Sequence, residues 1–252
     1  MSASLTGNHA FVTGAGSGIG AAVARMLAAS GARVSIAGRR LAPLQDTAAA
    51  LGDSIGAIIP LDVTDADAVG TAFAELDRID ILVNNAGRAA SAAFAKTDPA
   101  LFDDMIAVNL RSVYLVTRAA LPAMRAHRYG RIINIASTAG LVGAPYVSAY
   151  VAAKHGVIGL TKALAAELAG TGVTVNAVCP GYTDTPLVDE AVERIASTTK
   201  RTSADARAHL AESNPGGRLI TPDEVARVVV WLAQADASSI NGQAIVVAGG
   251  AV

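Results

Sequence analysis

Cysteine is almost missing from this 252-residue sequence: Cys179 stands alone, so no internal disulfide can form. Nothing therefore points to an oxidising compartment. Aromatic residues make up only 4% and charged residues 16%, and the charges nearly cancel to a formal −1. With no basic tract to follow a phosphate backbone, a strongly nucleic-acid-seeking protein is excluded. No stretch approaches the roughly 18 consecutive apolar residues that span a bilayer. Residues 1–7 lack the charged and apolar regions of a signal peptide. These absences predict a cytoplasmic protein with neither a membrane nor a nucleic acid as partner. What is plentiful is apolar, at 52% of residues, which suits one large-cored globular domain over 1–252. Cys179 lies in an apolar run and reads as core packing.

Short β-branched runs at 9–13, 32–37, 56–61, 79–83, 131–136, 173–178 and 244–247 alternate with longer Ala/Leu-rich stretches. Most of these runs are continuously apolar, as expected of strands covered on both faces. Helical patterns occupy about 19–30, 41–51, 65–76, 99–127, 149–170 and 222–234. The alternation predicts an α/β fold, a doubly wound parallel sheet with helices on both faces. Asp65 reads as a helix start, and Thr221, Pro222, Asp223 and Glu224 read as N-cap, N1 proline and first-turn acids. Residues 185–217 are more polar, lack a clean strand, and read as a mobile flap rather than a second domain.

The run Thr13-Gly14-Ala15-Gly16-Ser17-Gly18-Ile19-Gly20 follows the first strand and opens the first helix. Glycine permits the tight turn, and the helix N-terminus offers unpaired N–H groups to a pyrophosphate. Gly14, Ser17, Gly18, Ile19 and Gly20 are thus candidate cofactor contacts. Asp62, followed by Val63 at the end of the third strand, can accept a hydrogen bond from an adenine amino group or act as a helix N-terminal acid. An NAD site usually has an acid at the end of the second strand for the ribose hydroxyls. Here Arg39 and Arg40 stand there instead, and guanidinium groups bind a 2′-phosphate well. This favours NADP(H), with NAD(H) possible; the alternative is a solvated arginine pair.

Tyr150 and Lys154 are one helical turn apart and share a face. Ser137 follows the strand 131–136, at the sheet edge where ligands of open α/β folds bind. Carbonyl reduction needs a proton donor at the oxygen, and an unperturbed phenol, with a pKa of about 10, is a poor one for reversible transfer. A neighbouring ammonium and a positive nicotinamide ring should lower that value. Ser137 can hold the substrate oxygen as charge develops on it, and Lys154 can also bond the nicotinamide ribose.

With these residues the sequence resembles the short-chain dehydrogenase/reductase family over essentially its whole length. The resemblance includes Asn84-Asn85-Ala86-Gly87, the single Asn109, Tyr150 to Lys154, and Pro180-Gly181-Tyr182-Thr183-Asp184-Thr185; Ser137 lies thirteen residues before Tyr150. It implies a Rossmann-type domain with a seven-stranded parallel sheet. It also implies that Asn84–Gly87 support the sheet and flank the adenosine ribose, with Asn85, Ala86 and Gly87 near the cofactor. Asn109 would complete a Ser-Tyr-Lys-Asn tetrad by holding a water that touches the lysine. Pro180, Gly181, Thr183 and Thr185 would line the nicotinamide, hydride would leave its B face, and 185–217 would form a substrate lid. Many relatives are homotetramers built on the helices carried here by 99–127 and 149–170. Two positions depart from the pattern: Ala248 precedes Gly249 and Gly250 where an Asp is frequent, and Ala136 precedes Ser137 where a serine is frequent.

The substrate is less legible. The run from Cys179 to Glu190 resembles 3-oxoacyl thioester reductases, polyketide ketoreductases and 3-hydroxybutyrate dehydrogenases. Lys200, Arg201 and Arg207 could meet phosphates of coenzyme A or a carrier protein, or form a solvated face among the neighbouring acids. Tyr146, Val147, Tyr182, Leu187 and Val188 are candidate pocket walls or simply core. Other ketones and alcohols, small or aromatic, stay open as substrates, as does a cofactor-binding subunit that turns over little. No metal site is expected.

Overall fold

A computed structural model describes residues 4–252 of the chain. Seven parallel strands form one sheet in the order β3-β2-β1-β4-β5-β6-β7. They are β1 (His9–Thr13), β2 (Arg33–Gly38), β3 (Ile55–Pro60), β4 (Ile81–Asn84), β5 (Gly130–Ile135), β6 (Val173–Pro180) and β7 (Ala244–Val247). Every residue of β1, β4, β5 and β6 is buried, which explains why these runs are apolar without alternation. On one face α1 (Gly18–Ala29), α2 (Leu41–Ala49) and α9 (Pro222–Ala233) contribute Val23, Leu27, Leu44, Val225 and Val229 to the core. On the other, α3 (Ala66–Glu75), α5 (Ser112–Ala126) and α6 (Ser148–Glu167) bring in Val69, Val116, Met124 and Ala165.

Strand order reverses between β1 and β4, so a crevice opens at the carboxyl ends of these two strands. The caps fall where the sequence puts them. The Asp65 carboxylate accepts from the backbone N–H groups of Asp67 and Ala68, and Thr221 forms a reciprocal capping box with Glu224 at the head of α9.

Three expectations need refining. The apolar run at 79–83 becomes a strand from Ile81; just before it the Asp80 carboxylate accepts from His9 N at 2.9 Å and pairs with Arg78 at 2.6 Å, while the Asp80 backbone already bonds to His9 of β1 and Arg131 of β5. The helical pattern 99–127 is broken into α4 (Pro99–Ile106), a π-helical turn at Ala107–Arg111, and α5. Residues 185–217 contain two helices, α7 (Pro186–Thr198) and α8 (Ser203–Glu212), whose Val188, Val192, Ala206 and Leu210 pack together. Their polar outer faces conceal this small apolar seam from a reading by composition.

A chain of buried amides and hydroxyls ties the helices to the sheet centre. Asn84 on β4 donates to Thr117 of α5 at 2.9 Å and to Asn134 of β5 at 2.8 Å. Asn134 in turn donates to Thr161 of α6 at 2.9 Å. Removing one member strands its buried partners, which costs about 1–3 kcal/mol per group. We expect Asn134→Ala to lower unfolding free energy by roughly 2–3 kcal/mol in a denaturant titration. A loss below about 0.5 kcal/mol, the size of an ordinary surface change, would contradict this role.

Candidate active site

The glycine turn sits at the carboxyl end of β1 and is closed by backbone geometry. Gly14 and Gly18 hold φ of +65° and +52°, a region that side chains with a Cβ rarely occupy. A Cβ on Gly14 would lie 2.9 Å from Ala86 Cα, and one on Gly20 would lie 2.3 Å from Gly14 O. Across the crevice Thr13 Oγ1 accepts from both Asn85 N and Ala86 N at 3.0 Å, while Asn85 Nδ2 donates to Thr13 O and Gly14 O. Thr13 and Asn85 therefore lock the turn to the end of β4. Ser17 begins α1 without capping it through its side chain, and no acidic residue occupies the first turn. The helix start thus keeps its N–H groups available and its positive end unopposed, which fits a dinucleotide pyrophosphate.

Ser137, Tyr150 and Lys154 converge at the carboxyl end of β5. Ser137 is extended just past the strand, and its hydroxyl accepts from Ala139 N at 3.1 Å. Tyr150 and Lys154 lie one turn apart on α6, with the Lys154 Nζ 5.7 Å from the centre of the phenol ring. Lys154 is 5% exposed and donates to the Ile135 carbonyl at 2.8 Å. Asn109 is fully buried in the π-helical turn; its Nδ2 donates to Arg88 O at 2.9 Å and Met105 O at 3.0 Å, and its Oδ1 accepts from Arg88 N. A π turn of this kind, common at functional sites, sets the amide against the loop after β4. A Cβ on Gly87 would approach Asn109 Oδ1 at 2.8 Å and Lys154 Nζ at 3.7 Å, so the glycine turn after β4, the amide and the ammonium share one small volume.

The remaining candidates fall around this centre. Arg39 and Arg40 are exposed at the end of β2, and no salt bridge engages either among the described residues. Asp62 is exposed, with one oxygen accepting from both Thr64 N and Thr64 Oγ1; these bonds and the charge of Arg39 hold its carboxyl below the ordinary range. Val63 is buried beside it. Pro180 ends β6, Gly181 N donates to Val247 O, and Thr185 Cγ2 stands 3.0 Å from where a Cβ of Gly18 would be. Tyr146, Tyr182 and Leu187 are exposed, and Tyr146 has a φ of +67°. Val188 differs: it is buried between α7 and α8 and faces their seam. Arg207 pairs with Asp184 and Asp189, which leaves its guanidinium committed within the protein. Thr13 was not singled out by motif, although a hydroxyl at the last position of β1 was the available signal.

The family model for short chain dehydrogenases matches residues 8–196. The chain belongs to the short-chain dehydrogenase family. A D-beta-hydroxybutyrate dehydrogenase of Cupriavidus necator is 42% identical, over 94% of this chain and 95% of that one. A 3-oxoacyl-acyl-carrier-protein reductase of Thermotoga maritima is 37% identical, over 98% and 99%. In structure, an actinorhodin polyketide ketoreductase with NADPH superposes at a TM-score of 0.93, with 38% identity over 97% of each chain. This short-chain dehydrogenase is accordingly an NAD(P)-dependent oxidoreductase acting between ketones and secondary alcohols. No helix of the described residues is long and apolar enough to cross a membrane.

Electrostatics in this dehydrogenase run against one expectation from sequence. Burial pushes the Tyr150 phenol up to about 12; hydrogen bonding to Ser137 pulls it down, and the charge of Tyr182 adds to the rise. Desolvation outweighs any help from the lysine, whose ammonium is turned to the Ile135 carbonyl. Burial also brings Lys154 down to about 8, partly opposed by Cys179, whose own thiol is raised to about 11. Cys179 is fully buried core, as expected.

The lysine shift has a stability consequence. Between pH of about 8 and 10.5 the unfolded chain holds a proton on Lys154 that the folded one has released, so folding gains as pH rises through that window. Melting temperatures of Lys154→Met and the parent should therefore show the variant's relative advantage shrinking from pH 7 to about pH 10. A gap independent of pH, or one that widens, would refute the depressed ammonium.

Proposed function

We propose that Tyr150 is the acid/base, Ser137 holds the reacting oxygen, and Lys154 with Asn109 orients the phenol and the cofactor ribose. The observation that carries this reading is the convergence of Ser137, Tyr150 and a buried Lys154 at the edge of β5, across the crevice from the glycine turn. A bound nicotinamide supplies the hydride and, when oxidised, a positive ring. The pyrophosphate would lie on the start of α1 at Gly14, Ser17, Gly18, Ile19 and Gly20, and the adenosine near Asp62, Val63, Asn85, Ala86 and Gly87. Pro180, Gly181, Thr183 and Thr185 would flank the nicotinamide.

In reduction, the Tyr150 hydroxyl gives its proton to the carbonyl oxygen as negative charge grows there. A phenol raised to about 12 is fully protonated at neutral pH, which suits the donor role. For alcohol oxidation the same phenol must accept a proton. A positive nicotinamide ring beside the phenol would bring that value down. Ser137 Oγ steadies the substrate oxygen by a bond that strengthens with charge. The paired hydrogen bonds of Asn109 to the Arg88 backbone hold the floor beneath Lys154.

NADPH is the favoured cofactor, because Arg39 and Arg40 stand exposed, with no salt bridge among the described residues, where an NAD site has an acid. The substrate is a 3-oxoacyl or 3-hydroxyacyl thioester. The loops leaving β5 and β6 beside the phenol present Val142, Tyr146, Tyr182 and Leu187 as exposed apolar surface, which suits an acyl chain. The relatives named as ketoreductases and oxoacyl reductases support this choice. Residues 185–217 act as the lid. A groove between α5 and α6 lined by Tyr114, Leu121, Pro122, Leu160 and Leu164 supports packing against a second copy, within a cytoplasmic homotetramer.

Tyr150→Phe should lower turnover of acetoacetyl-CoA at least about 1000-fold, since it deletes the transferred proton, while NADPH binding stays within about twofold. Retained turnover would remove Tyr150 from the chemistry. Arg39→Ser combined with Arg40→Ser should raise the KM for NADPH about tenfold or more and leave that for NADH nearly unchanged. Equal effects on both cofactors would show the arginines to be a solvated pair.

A further inference from the structure

A buried side-chain grip on the backbone of the loop after β6 comes from a residue outside every motif of the sequence. Asn214 lies just beyond α8 and is 2% exposed. Its Oδ1 accepts from Tyr182 N at 3.2 Å, and its Nδ2 donates to Tyr182 O at 2.9 Å and to Arg218 O at 2.8 Å. One side-chain amide thus takes both the N–H and the C=O of a single residue, as the edge of a neighbouring strand would. A Cβ on Gly181 would stand 2.4 Å from Asn214 Oδ1, so glycine at 181 makes room for this clamp. The grip is extended by backbone: Ile220 N donates to Tyr182 O at 2.9 Å, and Asp184 N donates to Ile220 O at 2.8 Å.

The clamped segment lies between two parts of the site. Tyr182 acts electrostatically on the Tyr150 phenol, and Thr185 reaches the glycine turn at Gly18. At its other end, Arg207 of α8 bridges Asp184 and Asp189. A buried amide of this kind is costly unless its bonds are made, so its three bonds favour one backbone position over others. We propose that Asn214 is a positioning residue: it holds Gly181–Thr185 where the nicotinamide end of the cofactor binds, and ties that loop to the two-helix lid. The inference rests on assigning this loop to the nicotinamide.

Its test compares two ligands, NADPH and 2′-phospho-ADP-ribose, which lacks the nicotinamide. Affinities are measured by calorimetry on the parent, Asn214→Ala, Asn214→Asp and Thr185→Val. If NADH proves to be the cofactor, NADH and ADP-ribose replace them. Asn214→Ala should weaken NADPH about fivefold or more and leave the fragment within about twofold. Asn214→Asp, of the same size but setting a carboxylate oxygen against the carbonyls of Tyr182 and Arg218, should weaken NADPH at least as much as Asn214→Ala; it alone decides if Asn214→Ala does not fold. In turnover, kcat should fall more than the substrate KM rises, because misplacement acts on the reacting geometry. Equal weakening of both ligands would make Asn214 merely structural and overturn the proposal. So would unchanged NADPH affinity in the Asn214 variants alongside a loss in Thr185→Val. No change in any variant would strike down the loop's assignment itself.

Discussion

The interaction on which the site depends is the tie between Thr13 and Asn85 across the point where strand order reverses. One hydroxyl receives two backbone N–H groups, and one amide grips two carbonyls of the glycine turn. The sheet ladder pairs β1 with β4 as far as Val12 and Val83, and the tie carries that hold into the glycine turn, fixing the start of α1 relative to the loop after β4. With it, the turn needs glycine for space as well as for dihedral angle, since Cβ atoms at 14 and 20 would strike backbone. A crevice with one rigid wall results, and the helix end faces into it.

The opposite wall is organised by burial of charge. Lys154 is taken out of water and compensated by a carbonyl of β5, while the phenol four residues before it is raised by the same desolvation. The protein alone therefore stabilises a protonated tyrosine and weakens its lysine's charge. On the proposed reading that division suits carbonyl reduction, in which the phenol gives up its proton. The buried polar chain Thr117–Asn84–Asn134–Thr161 holds α5 and α6 to the sheet centre, and so fixes the helix that carries both groups.

Much of this was legible in the residues. Continuous apolar runs marked the central strands because both sheet faces are covered, and the caps at Asp65 and Thr221 carried their own local chemistry. Strand end and helix spacing pointed to Ser137, Tyr150 and Lys154 as candidates, whereas Asn109 entered only through the family resemblance. Other features were hidden for physical reasons. The π turn around Asn109 has no compositional mark distinguishing it from α-helix, since it changes a hydrogen-bond step and not a residue type. The two helices of 185–217 bury a narrow seam, so their polarity resembled a loop. Asn214 was invisible because the residue it clamps, Tyr182, is met through backbone groups 32 residues away. The desolvation that raises the Tyr150 phenol was hidden because it depends on packing, which spacing cannot report.

The central claim is that hydride passes directly between nicotinamide and a carbonyl carbon held at Ser137 and Tyr150. The most direct measurement supplies NADPH carrying deuterium on the B face of its ring, with acetoacetyl-CoA, and analyses the alcohol by mass. The account predicts one deuterium per molecule of product, on the carbinol carbon, and a matching loss of label from the cofactor. Alcohol without label, or label delivered as rapidly after Tyr150→Phe, would contradict it.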